Sequence, residues 1–331
     1  MQIFEKCKTA FLFNDSAAHT LDSNFYRHAG ADIDGSILVL KNNKKILITS
    51  RLNLSKAKKL CNFAIKLYPG GKTAPFLKKI APSGNVGLDF DSISAARLLR
   101  LKKIFGKRIV DISEPLALQR VQKTSEEAGK IKKAAQISRK ILSSLHLSSK
   151  ESEIGVANRL KIECFKAGAS LAYPPIVAAG KNSANPHHSP TSKKLGHGMV
   201  LIDFGAKYEN YCSDLTRCFF LGACKKEKQK YGEAKQIFYE MLDSVHRFRT
   251  CAAAAKYPLT QMKKLGWPAP LHSIGHGIGL DIHELPYFYE KSREKLLPNS
   301  IFAIEPACYF SNFGVRYEDD ILLTGKKAKL I

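Results

Sequence analysis

Met199–Arg217 reads MVLIDFGAKYENYCSDLTR, and this stretch decides the fold class. A strongly apolar strand ends at Asp203, where an unpaired carboxylate is costly to desolvate. Asp214 follows after a glycine and a tyrosine-rich turn, so a hairpin sets the two carboxylates side by side. Two ionised carboxylates that close repel one another unless they share a proton or bind cations.

Working downstream, Leu271–Glu284 reads LHSIGHGIGLDIHE, with His272, His276 and His283 spaced by four and then seven residues. Glycines at 275, 277 and 279 argue against a regular helix and let the backbone approach closely. IFAIEPACYF then places Glu305 inside an apolar strand spanning Ile301–Tyr309, and GVRYEDDILLT places Glu318 in the next, Tyr317–Leu323. Four carboxylates and an imidazole in or beside apolar strands make a hard, oxygen-rich donor set. Such a set suits a pair of Mn²⁺, Co²⁺, Fe²⁺ or Zn²⁺ ions. The eight cysteines show no Cys-x-x-Cys pair and read as reduced thiols. Cys212, Cys218 and Cys224 are spaced to share one face of an extended chain, a weak case for zinc.

Upstream the texture differs. Helices are expected over Ser125–Leu147 and Lys150–Ala167, and a strand over Ile176–Ala179. Before Ser113 strand-like and helix-like stretches alternate: Gly35–Leu40 and Lys45–Ser50 flank a turn at Lys41–Lys44, and Asn85–Asp89 is a further short strand. Helical spacing covers Asn53–Leu67 and Ser92–Phe105. The expectation is α/β (α+β) architecture: a small N-terminal α/β domain over 1–113 and a catalytic domain over 114–331.

The chain has 331 residues, 44% hydrophobic and 25% charged, an ordinary globular composition with length for two modest domains. No apolar run approaches the roughly 18–20 residues of a membrane span, and Glu5, Lys6 and Lys8 interrupt the N-terminus before a signal-peptide core forms. A cytoplasmic location is therefore expected. The net charge of +24 divides equally at Ser113, so the excess is diffuse. It implies no more than weak, non-specific attraction to nucleic acid.

Five motifs, Asp203-Phe-Gly-Ala, Ser213-Asp214-Leu-Thr-Arg217, His276-Gly-Ile-Gly-Leu-Asp-Ile-His283-Glu, Ile304-Glu305-Pro306 and Gly314-Val-Arg316-Tyr-Glu318-Asp, closely resemble those of the M24 "pita-bread" metallopeptidases. Within that family the match is to the proline-specific branch, prolidase (Xaa-Pro dipeptidase) and aminopeptidase P. The branch's layout, a small N-terminal domain followed by a pita-bread domain, covers essentially the whole chain.

The resemblance implies that Asp203 chelates one metal, that His276 and Glu305 hold the other, and that Asp214 and Glu318 bridge both. Two divalent ions per subunit are implied, Mn or Co ahead of Zn or Fe. Pro186-His187-His188-Ser-Pro190 resembles an upstream motif whose first histidine faces the substrate. That assigns His187 and His283 to substrate and transition state, with His272 a further pocket histidine. In the implied mechanism a metal-bridging hydroxide attacks the Xaa-Pro carbonyl. Glu305 carries the water's proton to the prolyl nitrogen, and His187 and His283 stabilise the oxyanion. Arg316 either orders Glu318 or meets a substrate carboxylate. Short proline-containing peptides are the implied partners and a homodimer the implied assembly.

Two positions depart from the family pattern. Ala307 follows Glu-Pro where glycine is usual, and Tyr287 stands where some prolidases place a carboxylate-binding arginine. The alternatives are a methionine aminopeptidase-like activity, which shares the five ligands but lacks this kind of N-terminal domain, and a non-catalytic pita-bread module binding nucleic acid or protein. A creatinase-like hydrolase, which dispenses with the metals, fits poorly.

Overall fold

The structure is a computed structural model that describes residues 3–14, 21–42, 44–71 and 73–331. The chain divides into two compact units, Met1–Gln119 and Arg120–Ile331.

The first unit runs α1 (Ile3–Lys6), β1 (Thr9–Asn14), α2 (Ser23–Ala29), β2 (Ser36–Lys41), β3 (Lys44–Thr49), α3 (Leu54–Leu60), β4 (Ala64–Leu67), α4 (Thr73–Ile80), β5 (Val86–Leu88), α5 (Ala95–Phe105), β6 (Ile109–Asp111) and α6 (Ser113–Val121). The division between units falls within α6, whose first residue is the boundary expected from the sequence. One mixed sheet has the order β4-β3-β2-β1-β5-β6. Strands β1, β2 and β3 pair antiparallel, while β4, β5 and β6 join in parallel.

Both faces of this sheet are buried. Ala10, Leu12, Leu38 and Leu40 pack with Phe25 on one side, and Phe11, Val39 and Ile48 with Leu77 and Phe105 on the other. Burial on two faces explains why these strands are continuous apolar runs without alternation. Lys41 pairs with Lys44 across the β2–β3 turn, and Asn42 has φ 47°; Asn43 lies outside the described residues.

The second unit runs α7 (Ser125–Ser143), α8 (Glu153–Lys166), β7 (Ser170–Leu171), β8 (Ile176–Ala179), β9 (Met199–Phe204), β10 (Ala206–Tyr208), β11 (Tyr211–Cys212), β12 (Leu215–Phe220), α9 (Lys225–Ser244), α10 (Cys251–Lys264), β13 (Gly275–Gly277), β14 (Glu284–Phe288), β15 (Ile301–Ile304), β16 (Ala307–Tyr309), β17 (Gly314–Arg316), β18 (Asp319–Leu323) and β19 (Ala328–Leu330). Its sheets have the orders β12-β9-β8, β14-β13-β15-β18-β19 and β11-β10-β7, with β16 and β17 as a separate hairpin. A bridge between Thr216 and Glu318 links the first two. Helices α7 and α8 pack on β9 through Ile141, Leu160, Ile202 and Phe204. Helices α9 and α10 pack through Phe238, Met241 and Ala254 against Phe302, Ile304 and Ile321.

Several elements differ from the sequence expectation. The helix expected to reach Leu147 ends at Ser143, because Ser143 and Ser144 hydroxyls bond back to the Lys140 and Ile141 carbonyls. Ser152 and Ser94 cap α8 and α5 by accepting from the Gly155 and Arg97 amides, which delays both starts. The helical pattern of Asn53–Leu67 splits into α3 and β4, because parallel pairing with β3 takes Ala64–Leu67.

The strand expected around Glu305 is two strands, and the one expected over Tyr317–Leu323 begins only at Asp319. Pro306, which has no amide hydrogen, separates β15 from β16, and Tyr317 and Glu318 separate β17 from β18. Both carboxylates therefore sit in strand breaks, not in strands. Cys212, Cys218 and Cys224 do not share one extended face, since Cys224 precedes α9. All eight cysteines are free and buried, and no cysteine joins a metal-competent group among the described residues. No described helix is long and apolar enough to cross a membrane.

Candidate active site

Strands β9 and β12 pair antiparallel with Asp203 opposite Thr216, and Asp214 lies just before β12. The chain returns so tightly that a Cβ on Gly205 would overlap the Ser213 carbonyl. A Cβ on Gly277 would likewise strike the Leu285 carbonyl, beside the bulge that places His276. These close approaches, and not freedom of φ, are what the two glycines supply.

A cavity of about 450 Å³ is walled by Asp203, Asp214, His276, Glu305 and Glu318 together with His187, His272, His283, Tyr287 and Arg316. The candidate ligands, the substrate-facing histidines, Tyr287 and Arg316 named from the sequence thus meet in one place. Donor atoms of Asp203, Asp214 and Glu318 lie within 4.8 Å of one another, as do those of His276, Glu305 and Glu318, and those of Asp214, His276 and His283. Asp203, Asp214, His276 and Glu318 are buried and Glu305 is half-buried.

The titration behaviour of this cluster follows from its crowding. Burial, then Glu318 and Asp203, hold the Asp214 carboxyl well above the usual carboxylate range. Burial and Glu318 do the same to Glu305. Glu318 is pushed up to about 8 by burial and Asp203, against the opposing pull of Arg316 and Thr216. Burial, with His283, lowers His276 to about 3, so its imidazole is neutral and able to coordinate. Carboxylates that resist ionising together, beside a neutral imidazole, fit a pair of divalent cations: bound positive charge relieves the repulsion that otherwise retains protons.

Arg316 is 3% exposed and its fork is fully engaged. Nη2 donates to Asp203 Oδ2 at 2.6 Å, Nη1 to Tyr309 Oη at 2.6 Å and Nε to Thr216 Oγ1 at 2.9 Å. The Thr216 hydroxyl in turn donates to Glu318 Oε2 at 2.7 Å. His272 lies between Tyr309, 2.8 Å from its Nε2, and Glu305, 3.3 Å from its Nδ1. Burial and then Arg316 lower it to about 4.

Four residues that organise the site went unremarked in the sequence. Tyr173 Oη lies 2.5 Å from oxygens of both Asp203 and Asp214, so one hydroxyl serves the facing carboxylates. Thr216 and Tyr309 relay Arg316 as just described. Glu153, fully buried at the start of α8, accepts from the Ala179 amide, the Asn182 side chain, His188 Nε2, and the Thr191 amide and hydroxyl. It therefore ties down both ends of the loop that presents His187. A buried carboxylate with five donors is a strong anchor. For Glu153 the one available signal was a carboxylate next to a serine cap.

Fold and site together define a two-domain protein whose second domain carries a carboxylate–histidine cluster suited to divalent metal. The chain belongs to metallopeptidase family M24: residues 129–325 match that family, and residues 22–122 match the creatinase/prolidase N-terminal domain. A protein of Mycoplasma genitalium, provisionally named an Xaa-Pro aminopeptidase, is 32% identical over 219 residues, 62% of this chain and 61% of that protein. The alignments with the Mycoplasma relatives thus span about three-fifths of their length. The Xaa-Pro dipeptidase of Pyrococcus horikoshii is 26% identical over 324 residues, 95% of this chain and 92% of that one. The crystal structure of the X-Pro aminopeptidase from Thermotoga maritima superimposes with TM-score 0.87 and 26% identity, over 98% of this chain and 94% of that one.

Proposed function

We propose that this protein hydrolyses the Xaa-Pro bond of dipeptides and short peptides, using two divalent cations held by Asp203, Asp214, His276, Glu305 and Glu318. The observation that carries the reading is the convergence of all five donors, with His187, His272 and His283, on one cavity of an M24 chain. Asp214, Glu318 and His276 each belong to two of the three close donor groups, and of these only the two carboxylates carry a pair of oxygens able to span two cations.

When bound, the cations supply Lewis-acid polarisation of the carbonyl and acidify the attacking water. The chain's own residues do the rest. Glu305, at the cluster edge and beside His272, takes the water's proton and returns it to the prolyl nitrogen, which has no hydrogen of its own. His187 and His283 lie in the cavity wall, where their imidazoles donate to the oxyanion. Arg316 holds Asp203 directly and Glu318 through Thr216, fixing the carboxylates before any ion arrives.

The test is metal content together with hydrolysis of Ala-Pro, Ala-Pro-Ala and Met-Ala-Ala in the presence of Mn²⁺ or Co²⁺. Cleavage of the proline peptides with two ions per chain supports the reading. Cleavage of Met-Ala-Ala alone replaces it with a methionine aminopeptidase, and a protein that takes up no metal is a binding module.

A further inference from the structure

We infer that a second cavity beside the ligand cluster receives an apolar side chain from the residue that follows proline in longer substrates. The inference rests on the Xaa-Pro reading and extends it to substrate class.

This cavity encloses about 520 Å³ between Leu259 and Met262 of α10, Trp267 and Pro270 of the following segment, and Ile274 and Phe288. Charged groups stand among its lining residues only as Lys263, Glu290 and Lys291, alongside His272. Its volume falls within the range of small-ligand pockets, and its walls are of the apolar kind that stabilise a buried side chain.

Two relationships connect it to the leaving side of the scissile bond. First, His272 and Ser273 belong to its wall and to the wall of the ligand cavity. His272 touches Glu305, the group proposed to protonate the leaving nitrogen. The peptide C-terminal to that nitrogen therefore runs along the His272 side. Second, the guanidinium at this end, Arg316, is fully engaged by Asp203, Tyr309 and Thr216, and Tyr287 offers only a neutral hydroxyl. Among the described residues that wall the ligand cavity, Arg316 is the one arginine or lysine, and with its three nitrogens engaged a third residue can continue past His272.

Trp267 is the single tryptophan of the chain, so intrinsic fluorescence reads this cavity directly. The experiment uses the full-length, metal-loaded protein with Ala-Pro-Gly, Ala-Pro-Leu and Ala-Pro-Phe as substrates, and Gly-Pro and Leu-Pro as controls. Pro-Gly and Pro-Leu serve as product probes. The Leu and Phe tripeptides are expected to exceed the Gly tripeptide in kcat/KM by about tenfold or more. Pro-Leu is expected to shift Trp267 emission saturably, and Pro-Gly to leave it unchanged. Ala269→Phe, at an exposed wall position that leaves the core intact, reduces the Leu-to-Gly ratio below about threefold. Equal rates for the three tripeptides with flat emission overturn the inference while the proposed function stands. Selectivity that follows only the residue before proline also overturns it. Failure to cleave any proline peptide while Pro-Leu still shifts Trp267 sinks the proposed function and leaves the cavity as an apolar peptide site.

Discussion

The carboxylate of Glu153 stands 2.9 Å from Nε2 of His188, the residue next to His187. Burial pushes this carboxyl up, but its backbone and side-chain donors outweigh burial and hold it at about 2. A depressed carboxyl contributes stability above its ordinary value, here 4.5, and loses it as pH falls towards 2. Amide exchange across residues 180–191, expressed relative to the intrinsic rate at each pH, is therefore expected to stay slow at neutral pH and to accelerate between about pH 4 and 2. Glu153→Gln should accelerate it at pH 7 and lower kcat by about tenfold, with metal content unchanged. Unaltered exchange in that variant removes Glu153 from this role.

Asp214→Ala and Glu318→Ala are each expected to empty both metal positions, since each is a two-oxygen carboxylate that belongs to two donor groups. Asp203→Ala should remove mainly one ion. Elemental analysis decides, and full occupancy in Asp214→Ala rejects the bridging assignment.

His187→Ala and His283→Ala are expected to lower turnover by about 10²–10³, the usual loss of one oxyanion-type donor. Metal content should stay at the parent level in both. The sharper case is His283, because its ring lies 4.3 Å from that of His276 and its donor atoms approach Asp214. Loss of metal in His283→Ala would make it a ligand.

Arg316→Lys retains the charge and abandons the fork. A lysine cannot hold Asp203, Thr216 and Tyr309 together, so apparent metal affinity should fall by about 10- to 100-fold, as for outer partners of metal ligands. Titration with Mn²⁺ against a fluorescent chelator measures this. An unchanged affinity would show that the carboxylates orient themselves.

The metal cluster was legible in the sequence because ionisable groups are conspicuous in apolar surroundings: Asp203 after Met-Val-Leu-Ile and Glu305 after Ile-Phe-Ala-Ile have little else to do there. Apart from Arg316, residues that act on those carboxylates were not legible. Tyr173 is an ordinary tyrosine before two prolines, and its bonds to Asp203 and Asp214 exist only after β8, β9 and β12 have paired. Thr216 looks like any strand threonine until Glu318, about a hundred residues away, bridges to it. In the first unit the two-sided burial of β2 and β3 made strands visible while β1 went unread, and the Asn53–Leu67 pattern concealed a change from helix to strand that long-range pairing with β3 imposes. The strand breaks at Glu305 and Glu318 were hidden for a related reason, since buried residues continue on both sides of each break.

The eight buried thiols give the molecule an internal record of its own opening. Burial pushes Cys164 to about 11 and Cys212, Cys218, Cys251 and Cys308 to about 12, so almost no thiolate exists at neutral pH. Cys7 and Cys61 lie in the first unit and the other six in the second. A disulfide reagent consequently modifies each cysteine no faster than its surroundings unfold. Mass spectrometry of the adducts then resolves the two units separately, and a cation held in the second should slow labelling of its six thiols while leaving the pair in the first unprotected.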